Sequence, residues 1–112
     1  MRDAELFTER VLALVERIPP GRVMSYGAVA RAVGSGGPRQ VGQVMAYDGG
    51  GVPWWRVVRA DGTLPAHLAA RAHDNYRRER TPLRPHRDGM RVDMAVGQWS
   101  PIDRSPEAPG PP

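Results

Sequence analysis

One central stretch of the chain is divided by capping residues and helix breakers so that it can hold two short helices. Ser25 can cap the N-terminus of a helix over residues 26–33, and Gly34 suits the left-handed position that ends such a helix. Pro38 fits the first turn of a second helix, over about residues 38–47. This pair predicts a helix-turn-helix, an arrangement that often binds DNA. Many small domains contain similar helix pairs, so the pattern alone leaves DNA binding open.

The second of these helices carries small residues on one side. Gly42 and Ala46 are four residues apart, as are Arg39 and Gln43. A glycine inside a helix costs about 1 kcal/mol relative to alanine. Such a residue permits close approach of another backbone, which is either a neighbouring helix or a DNA strand. The spacing does not distinguish between them.

Net charge favours a polyanionic partner. The 112 residues carry a formal charge of +4, and all sixteen basic residues are arginine. Arginine is well suited to bidentate phosphate contacts and to stacking on bases. The codon bias of a GC-rich genome accounts for most of the arginine excess, but the positive sign still agrees with nucleic-acid binding.

Several classes of protein are excluded or disfavoured. Cysteine is absent, so the chain has no disulfide, thiolate metal site or cysteine nucleophile. His67, His73 and His86 show no familiar ligand spacing, and we expect neither a metal nor a cofactor. No apolar run approaches 18 residues, and the N-terminus lacks the apolar region of a signal peptide. We therefore expect a cytoplasmic protein that does not engage a membrane.

The N-terminal segment predicts an amphipathic helix over about residues 3–17. Phe7, Val11, Leu14 and Ile18 recur at helical spacing, and Asp3 is a candidate N-cap. The sequence Pro-Pro-Gly that follows Ile18 ends the helix.

The C-terminal half begins with two adjacent tryptophans, Trp54 and Trp55. In an extended segment they point to opposite sides, so at least one should face a cleft or solvent. Further on we predict a hairpin-like turn at Asp61-Gly62, a helix over residues 66–80, a turn at Asp88-Gly89 and a short edge strand over residues 90–95. Arg71, Arg77 and Arg78 on that helix contact phosphate or form a solvated face, and the latter is the commoner fate.

Three separated segments together resemble one family. They are IPPGRVMSYGAVA over residues 18–30, RQVG over residues 39–42 and PWWRVV over residues 53–58. Their order and spacing resemble the DNA-binding domain of the O6-alkylguanine-DNA alkyltransferases, whose active-site motif is Pro-Cys-His-Arg-Val. Trp54 stands at the cysteine position and Trp55 at the histidine position. This departure is similar to the alkyltransferase-like proteins, which have a tryptophan in place of the nucleophile.

The resemblance covers about residues 3–99 and implies both a fold and a function. The fold is mainly α with short β strands, a winged-helix-like helix-turn-helix domain of the alkyltransferase C-terminal type. We predict that it occupies residues 1–99 and that a proline-rich, disordered tail follows over residues 100–112. The implied function is that of a monomeric, non-enzymatic sensor. It binds O6-alkylguanine in duplex DNA through the minor groove, flips the lesion into a pocket, and channels it to nucleotide excision repair proteins.

The same resemblance assigns roles to individual residues. The implied lesion pocket is lined by Tyr26, Pro53, Trp54, Trp55 and Val57. Arg39 matches an arginine finger that fills the gap left by the flipped base. The remaining implied DNA contacts are Ser25, Gln40, Gly42, Gln43 and Ala46, together with Tyr26. Arg56 and Asp48 are implied to support the loops. Thr81 falls where the enzymes have a glutamate that activates the histidine, which agrees with loss of the catalytic relay.

Residue types alone also fit simpler roles. Trp54 can be a core residue, Tyr26 an aromatic packed on the first helix, and Arg39 a solvated charge. Two other functions stay open at this stage. One is a helix-turn-helix protein without lesion preference, although the second helix lacks a set of base-reading side chains. The other is an enzyme that uses His67, His73 or Asp74, for which no nucleophile–base–orienter pattern is visible.

Overall fold

The structure, a computed structural model, describes residues 2–87 and 89–102. Its helices are α1 (Arg2–Arg17), α2 (Tyr26–Val33), α3 (Pro38–Asp48), α4 (Ala66–Glu79) and α5 (Met94–Gly97), and its strands are β1 (Met24–Ser25), β2 (Val57–Val58), β3 (Leu83–His86) and β4 (Gly89–Val92). Single 3-10 turns lie at Gly49–Gly51 and Trp54–Arg56. None of the helices in the described ranges combines the length and apolarity needed to cross a bilayer.

The predicted helix-turn-helix is confirmed as α2 and α3. The Ser25 hydroxyl accepts a hydrogen bond of 3.0 Å from the N–H of Ala28, which caps α2. Gly34 ends α2 with a φ of 91°, and its N–H donates to the Ala30 carbonyl at 2.9 Å. Pro38 begins α3, where the lack of an N–H is harmless because first-turn amides have no partner inside the helix. The short connection therefore sets α3 against α2.

The first hydrophobic core lies between α1, α2 and α3. Val11, Leu14 and Ile18 are buried there as the spacing predicts, while Phe7 packs at the edge. The predicted N-cap at Asp3 is wrong, because α1 already begins at Arg2. Asp3 instead lies in the first turn, where a carboxylate interacts favourably with the helix dipole.

A short parallel sheet connects the helix-turn-helix to the tryptophan segment. Met24 pairs with Val57, and Ser25 pairs with Val58. Val57 is fully buried in the first core, and Val58 is fully buried in a second core. The turn that carries both tryptophans immediately precedes β2, so this pairing fixes it beside α2.

The second core lies beneath α4 and the antiparallel β3–β4 hairpin. It contains six buried residues, namely Val23, Val58, Leu64, Ala72, Tyr76 and Val92. The Asp61-Gly62 turn closes through an Arg59 N–H to Thr63 carbonyl bond of 2.9 Å, but it leads into α4 and not into a paired strand. It is therefore a turn without the predicted hairpin.

Two further expectations for the C-terminal region change. The predicted strand over residues 90–95 ends at Val92, because Asp93 caps α5 by accepting a hydrogen bond from the N–H of Ala95 at 3.1 Å. In the predicted turn at residues 88–89, Asp88 lies outside the described residues, while Gly89 begins β4. The predicted tail lies outside the described residues from position 103 onwards.

Candidate nucleic-acid interface

A cavity of about 630 Å³ opens between α3, the Trp54 turn and the N-terminal half of α4. It brings together five of the residues predicted for lesion and DNA binding, namely Tyr26, Arg39, Gly42, Ala46 and Trp54. These residues come from three separate parts of the sequence. The cavity is therefore the feature of the structure that joins the predicted site residues.

Trp54 forms part of the cavity wall and is itself held in place from two sides. Its ring meets the Trp55 ring edge to face, with centroids 5.6 Å apart and planes at 87°. The Arg71 guanidinium carbon lies 5.2 Å from the centroid of the Trp54 ring, which is within the range of a cation–π interaction. The indole therefore presents a positioned aromatic surface to the cavity.

Trp55 does not line the cavity, contrary to the prediction. It packs against the second core, and its Nε1–H donates to the Glu79 carboxylate at 3.0 Å. Because residues 54–56 form a 3-10 turn, neighbouring side chains point in different directions. Both tryptophans pack against the second core, and Trp54 also lines the cavity.

Glu79 connects this turn to the body of the protein. Its carboxylate also accepts a hydrogen bond of 3.1 Å from Nε of Arg56 and one of 3.2 Å from the N–H of Gly21. Arg56 in turn donates to the Ile18 carbonyl at 2.9 Å. The tryptophan turn, the end of α1 and the end of α4 therefore share one network.

The charge state of Glu79 follows from this network. Burial alone raises the pKa of its carboxyl, but the hydrogen bonds from Arg56, Gly21 and Trp55 and the positive charge of Arg56 outweigh that effect. The pKa of Glu79 is therefore held below its ordinary value, and the carboxylate is ionised at neutral pH.

The inference that Thr81 replaces a lost supporting acid is wrong. Thr81 is buried, yet the carboxylate that contacts residue 55 belongs to Glu79, two positions earlier. An ungapped count along the chain placed the acid at position 81 and so passed over Glu79. A carboxylate therefore does contact residue 55, and the departures from the enzymes' motif are Trp54 and Trp55.

Pro53 and Val57 also lie outside the lining of the cavity. Pro53 is half-buried at the start of the 3-10 turn, and Val57 is fully buried in the first core. Val57 points inward because its strand β2 pairs with β1 above that core. Both residues position the tryptophan turn and leave the cavity wall to Trp54.

The residues predicted on α3 divide between two sides of the helix. Arg39, Gly42 and Ala46 face the cavity. Gln40 and Gln43 line a separate groove between α1 and α3, and the Gln40 Oε1 accepts a hydrogen bond from the N–H of Gly37 at 2.9 Å. One side of α3 thus belongs to the cavity, while Gln40 also stabilises the start of the helix.

Packing of a neighbouring helix does not explain the glycine at position 42. Apart from its own helix backbone and chain neighbours, no described atom lies within 4 Å of the position that a Cβ would occupy. A neighbouring helix, one of the two explanations for this residue, is therefore absent from that position. The open space in front of Gly42 belongs to the cavity.

Tyr26 combines the two roles considered for it, an aromatic that packs in the protein interior and a residue of the binding cavity. It packs against the first core and also lines the cavity. Burial raises the pKa of its phenol, and the nearby positive charge of Arg59 only partly opposes this shift. The hydroxyl is therefore protonated at neutral pH and can donate a hydrogen bond.

Ser25 and Asp48 differ in how the structure uses their side chains. The Ser25 hydroxyl accepts the α2 cap hydrogen bond. Asp48 is exposed at the end of α3, and its side chain makes no capping hydrogen bond to the following turn. The predicted bracing role of Asp48 is therefore absent from the structure.

Sequence reasoning missed the wall of the cavity that α4 and the chain before it supply. This wall contains Arg59, Leu64, Pro65, His67, Leu68 and Arg71. Positions 64, 68 and 71 follow helical spacing, but nothing in that spacing shows that α4 lies opposite α3. Arg77 and Arg78 are exposed and lie outside the lining. Within the described chain, no three His, Asp or Glu side chains lie close enough together to hold a metal ion.

Comparison with protein families shows which family the chain belongs to. Residues 6–83 match the family model of the 6-O-methylguanine DNA methyltransferase DNA-binding domain. The chain belongs to this family. The mainly helical fold with short strands agrees with that membership and confirms the predicted fold class.

Relatives within the family include two named proteins. The DNA base-flipping protein of Escherichia coli is 42% identical over 67 residues, which cover 57% of this chain and 52% of that protein. Alkyltransferase-like protein 1 of Schizosaccharomyces pombe is 43% identical over 67 residues, which cover 57% of this chain and 61% of that protein. The matched region thus spans only half to three-fifths of the length of these relatives.

Solved structures of family members extend the similarity over more of the chain. S. pombe Atl1 in complex with damaged DNA containing O6-carboxymethylguanine superposes with a TM-score of 0.76 and 31% identity, covering 87% of this chain and 97% of that one. The O6-methylguanine methyltransferase of Mycobacterium tuberculosis superposes with a TM-score of 0.58 and 31% identity, covering 68% of this chain and 50% of that one.

Proposed function

We propose that this protein is a non-enzymatic sensor of O6-alkylguanine in duplex DNA. The helix-turn-helix enters the minor groove, and the damaged base rotates out of the stack into the cavity beside Trp54. The observation that carries the proposal is that this one cavity collects Tyr26, Arg39, Gly42, Ala46 and Trp54. Its volume of about 630 Å³ lies within the range of about 300–1,000 Å³ of typical ligand pockets.

The energetics of base flipping assign a task to Trp54. Extrusion of a base from a duplex costs a few kcal/mol. Stacking of that base on an aromatic side chain returns about 1–3 kcal/mol. The Trp54 indole, held between Trp55 and Arg71, supplies such a surface without having to be ordered on binding. An alkyl group on the base adds apolar area, which favours the lesion over guanine.

The arrangement of α3 fits the other half of the flipping event. Arg39 is exposed at the start of α3, at the edge of the cavity. An arginine there can enter the gap that the flipped base leaves and pair with the orphaned partner base. The open space in front of Gly42 allows a DNA backbone to approach α3 closely.

The chemistry of the cavity supports binding without transfer of the alkyl group. The chain has no cysteine, and the indole N–H of Trp54 is a hydrogen-bond donor only. The raised pKa of Tyr26 keeps its oxygen protonated and therefore weakly nucleophilic. A lesion that is bound and not repaired has to pass to another process, and we propose nucleotide excision repair for that role.

A fluorescence titration with two duplexes tests the proposal. The duplexes are identical except that one carries O6-methylguanine, and the salt concentration is fixed because phosphate contacts make affinity salt-dependent. We expect tighter binding of the damaged duplex. Equal affinity for both would contradict lesion recognition and would favour the rival function, a helix-turn-helix protein without lesion preference.

A second experiment tests the proposed hand-off. A reconstituted excision nuclease cuts the damaged duplex with and without this protein, and the Arg39→Ala variant serves as control. We expect incision to rise with the native chain only. Unchanged or reduced incision would contradict channelling while leaving lesion binding intact.

A further inference from the structure

The β3–β4 hairpin places like charges directly opposite one another. Arg84 on β3 pairs in register with Arg91 on β4. Arg84 is exposed, and Arg87, which follows β3, is also exposed. Like charges at directly opposed positions of an antiparallel pair repel each other. Over residues 83–92 the sequence has three arginines, one histidine and one aspartate, so the hairpin carries a net positive charge.

The hairpin is attached to the turn that begins at the cavity beside Trp54, here called the lesion cavity. Nη1 of Arg91 donates to the Asp61 carbonyl at 3.1 Å, which attaches the hairpin to the turn that follows β2. Arg59, at the start of that turn, lines both the lesion cavity and a second cavity of about 710 Å³ between α4 and the hairpin. Arg91, which contacts the turn that begins at Arg59, and Arg84, which pairs with Arg91, are together with Arg59 called the arginine row.

One acid lies beside the inner end of the arginine row. The carboxylate of Asp61 accepts hydrogen bonds from the N–H and the hydroxyl of Thr63, at 3.0 and 2.6 Å, and it attracts Arg59 and His86. It offsets part of the charge close to the cavity. Arg84 and Arg87 lie farther along the hairpin, where an added anion would relieve the repulsion between Arg84 and Arg91.

We propose that the hairpin binds backbone phosphates of the same DNA duplex, beyond the lesion. The inference rests on the proposed function for the presence of DNA, and it adds a second contact surface away from α3. Arginine is suited to this ligand because its planar guanidinium forms paired hydrogen bonds with phosphate oxygens. Contacts of this kind carry no base information, so the hairpin adds affinity and leaves the preference for damage to the cavity.

The salt dependence of DNA binding tests the hairpin directly. We compare an Arg84→Ala, Arg87→Ala double variant with an Arg10→Ala, Arg17→Ala double variant. The control removes the same charge from exposed positions on α1 that lie outside the arginine row. Each phosphate contact adds about 0.9 to the slope of log affinity against log salt. We expect the hairpin variant to lower that slope by about 1.8, whereas the control keeps the native slope within error.

The same change can be read as an affinity ratio. When the salt is raised from about 50 to about 200 mM, the affinity of both proteins falls. The factor by which it falls should be about twelvefold smaller for the hairpin variant than for the native chain. An Arg84→Lys, Arg87→Lys variant, which retains the charge, should keep most of the native slope. Thermal unfolding of each variant confirms that the fold is retained. A hairpin variant with a native slope would overturn the proposal.

This test remains informative if lesion recognition fails. The slope is measured on damaged and on undamaged duplexes, and the hairpin variant should lose the same factor on both. A protein that binds both duplexes equally would contradict the proposed function, yet its slope would still report on the hairpin. If the hairpin variant keeps the native slope on both duplexes while the protein still prefers damaged DNA, the hairpin contact alone is rejected.

Discussion

Replacement of Gly42 by alanine should improve folding and impair DNA binding. A glycine inside a helix costs about 1 kcal/mol relative to alanine, and the added methyl group at Gly42 meets no described atom within 4 Å outside its own helix. Gly42 also has no positive φ that an alanine would resist. We therefore expect the free energy of unfolding to rise by about 0.5–1 kcal/mol, which corresponds to a few degrees in Tm for a domain of this size.

The same methyl group should meet the DNA strand that approaches α3. A methyl inserted between surfaces that already touch costs about 1–3 kcal/mol, which corresponds to about 5- to 150-fold weaker binding. Urea unfolding and DNA titration of the same preparation measure the two effects.

Ala46→Gly is the reciprocal control for this substitution. Ala46 lies one helical turn further along α3 and lines the same cavity. We expect it to lose about 1 kcal/mol of stability while DNA affinity is nearly retained. Two outcomes would refute the reasoning. A destabilised Gly42→Ala variant would reveal packing at that position, and a stable variant with native affinity would show that DNA does not approach Gly42.

Four further outcomes follow from the contacts described above. Glu79→Gln should lower the free energy of unfolding in urea by about 1–3 kcal/mol, because it leaves the Arg56 guanidinium without a charged partner. Because the pKa of Glu79 is held below its ordinary value, its contribution to stability is complete above that ordinary value and disappears as the pH falls through the lower, folded-state pKa. Unfolding measured between about pH 3 and pH 7 should show this loss in the native chain and not in Glu79→Gln. Gly62→Ala should lower the free energy of unfolding by at least about 2 kcal/mol, since Gly62 has a φ of +88° and a Cβ would overlap the Val92 carbonyl oxygen. Gly50→Ala should leave stability nearly unchanged, and thermal unfolding of the two variants measures the difference. Trp54→Cys should not accept a labelled methyl group from DNA, because the indole of Trp55 cannot accept the thiol proton, whereas the added change Trp55→His should give measurable transfer; efficient transfer by the single variant would contradict this view of Trp55.

Local signals in the sequence were sufficient for the helix-turn-helix. The boundaries of α2 depend on Ser25 and Gly34, whose effects reach only a few residues along the chain. Where two local signals compete, the prediction is weaker. Alternation of side chains over residues 90–95 resembles a strand, but Asp93 caps a helix within that stretch. Similarly, Asp61-Gly62 forms the expected turn without a hairpin, because the chain then enters α4.

The functional site required long-range contacts that no local pattern contains. Resemblance to a family placed Tyr26, Arg39 and Trp54, and the structure brings all three to one cavity. The resemblance could not show that α4 forms the opposite wall of the cavity, since the position of α4 depends on how the second core packs. The acid beside Trp55 was missed for a related reason. Glu79 reaches the Trp55 indole from the end of α4, 24 residues further along the chain, and no local pattern marks that contact.

The ratio of affinities for damaged and undamaged duplex tests the central claim most directly. We predict that the native chain binds O6-methylguanine DNA more tightly than the matched undamaged duplex at fixed salt. We also predict that Trp54→Ala lowers this ratio by about 5- to 150-fold, or to one, because about 1–3 kcal/mol of stacking is lost. Binding of undamaged DNA should change little. A native ratio of one, or a ratio that Trp54→Ala leaves unchanged, would contradict the account.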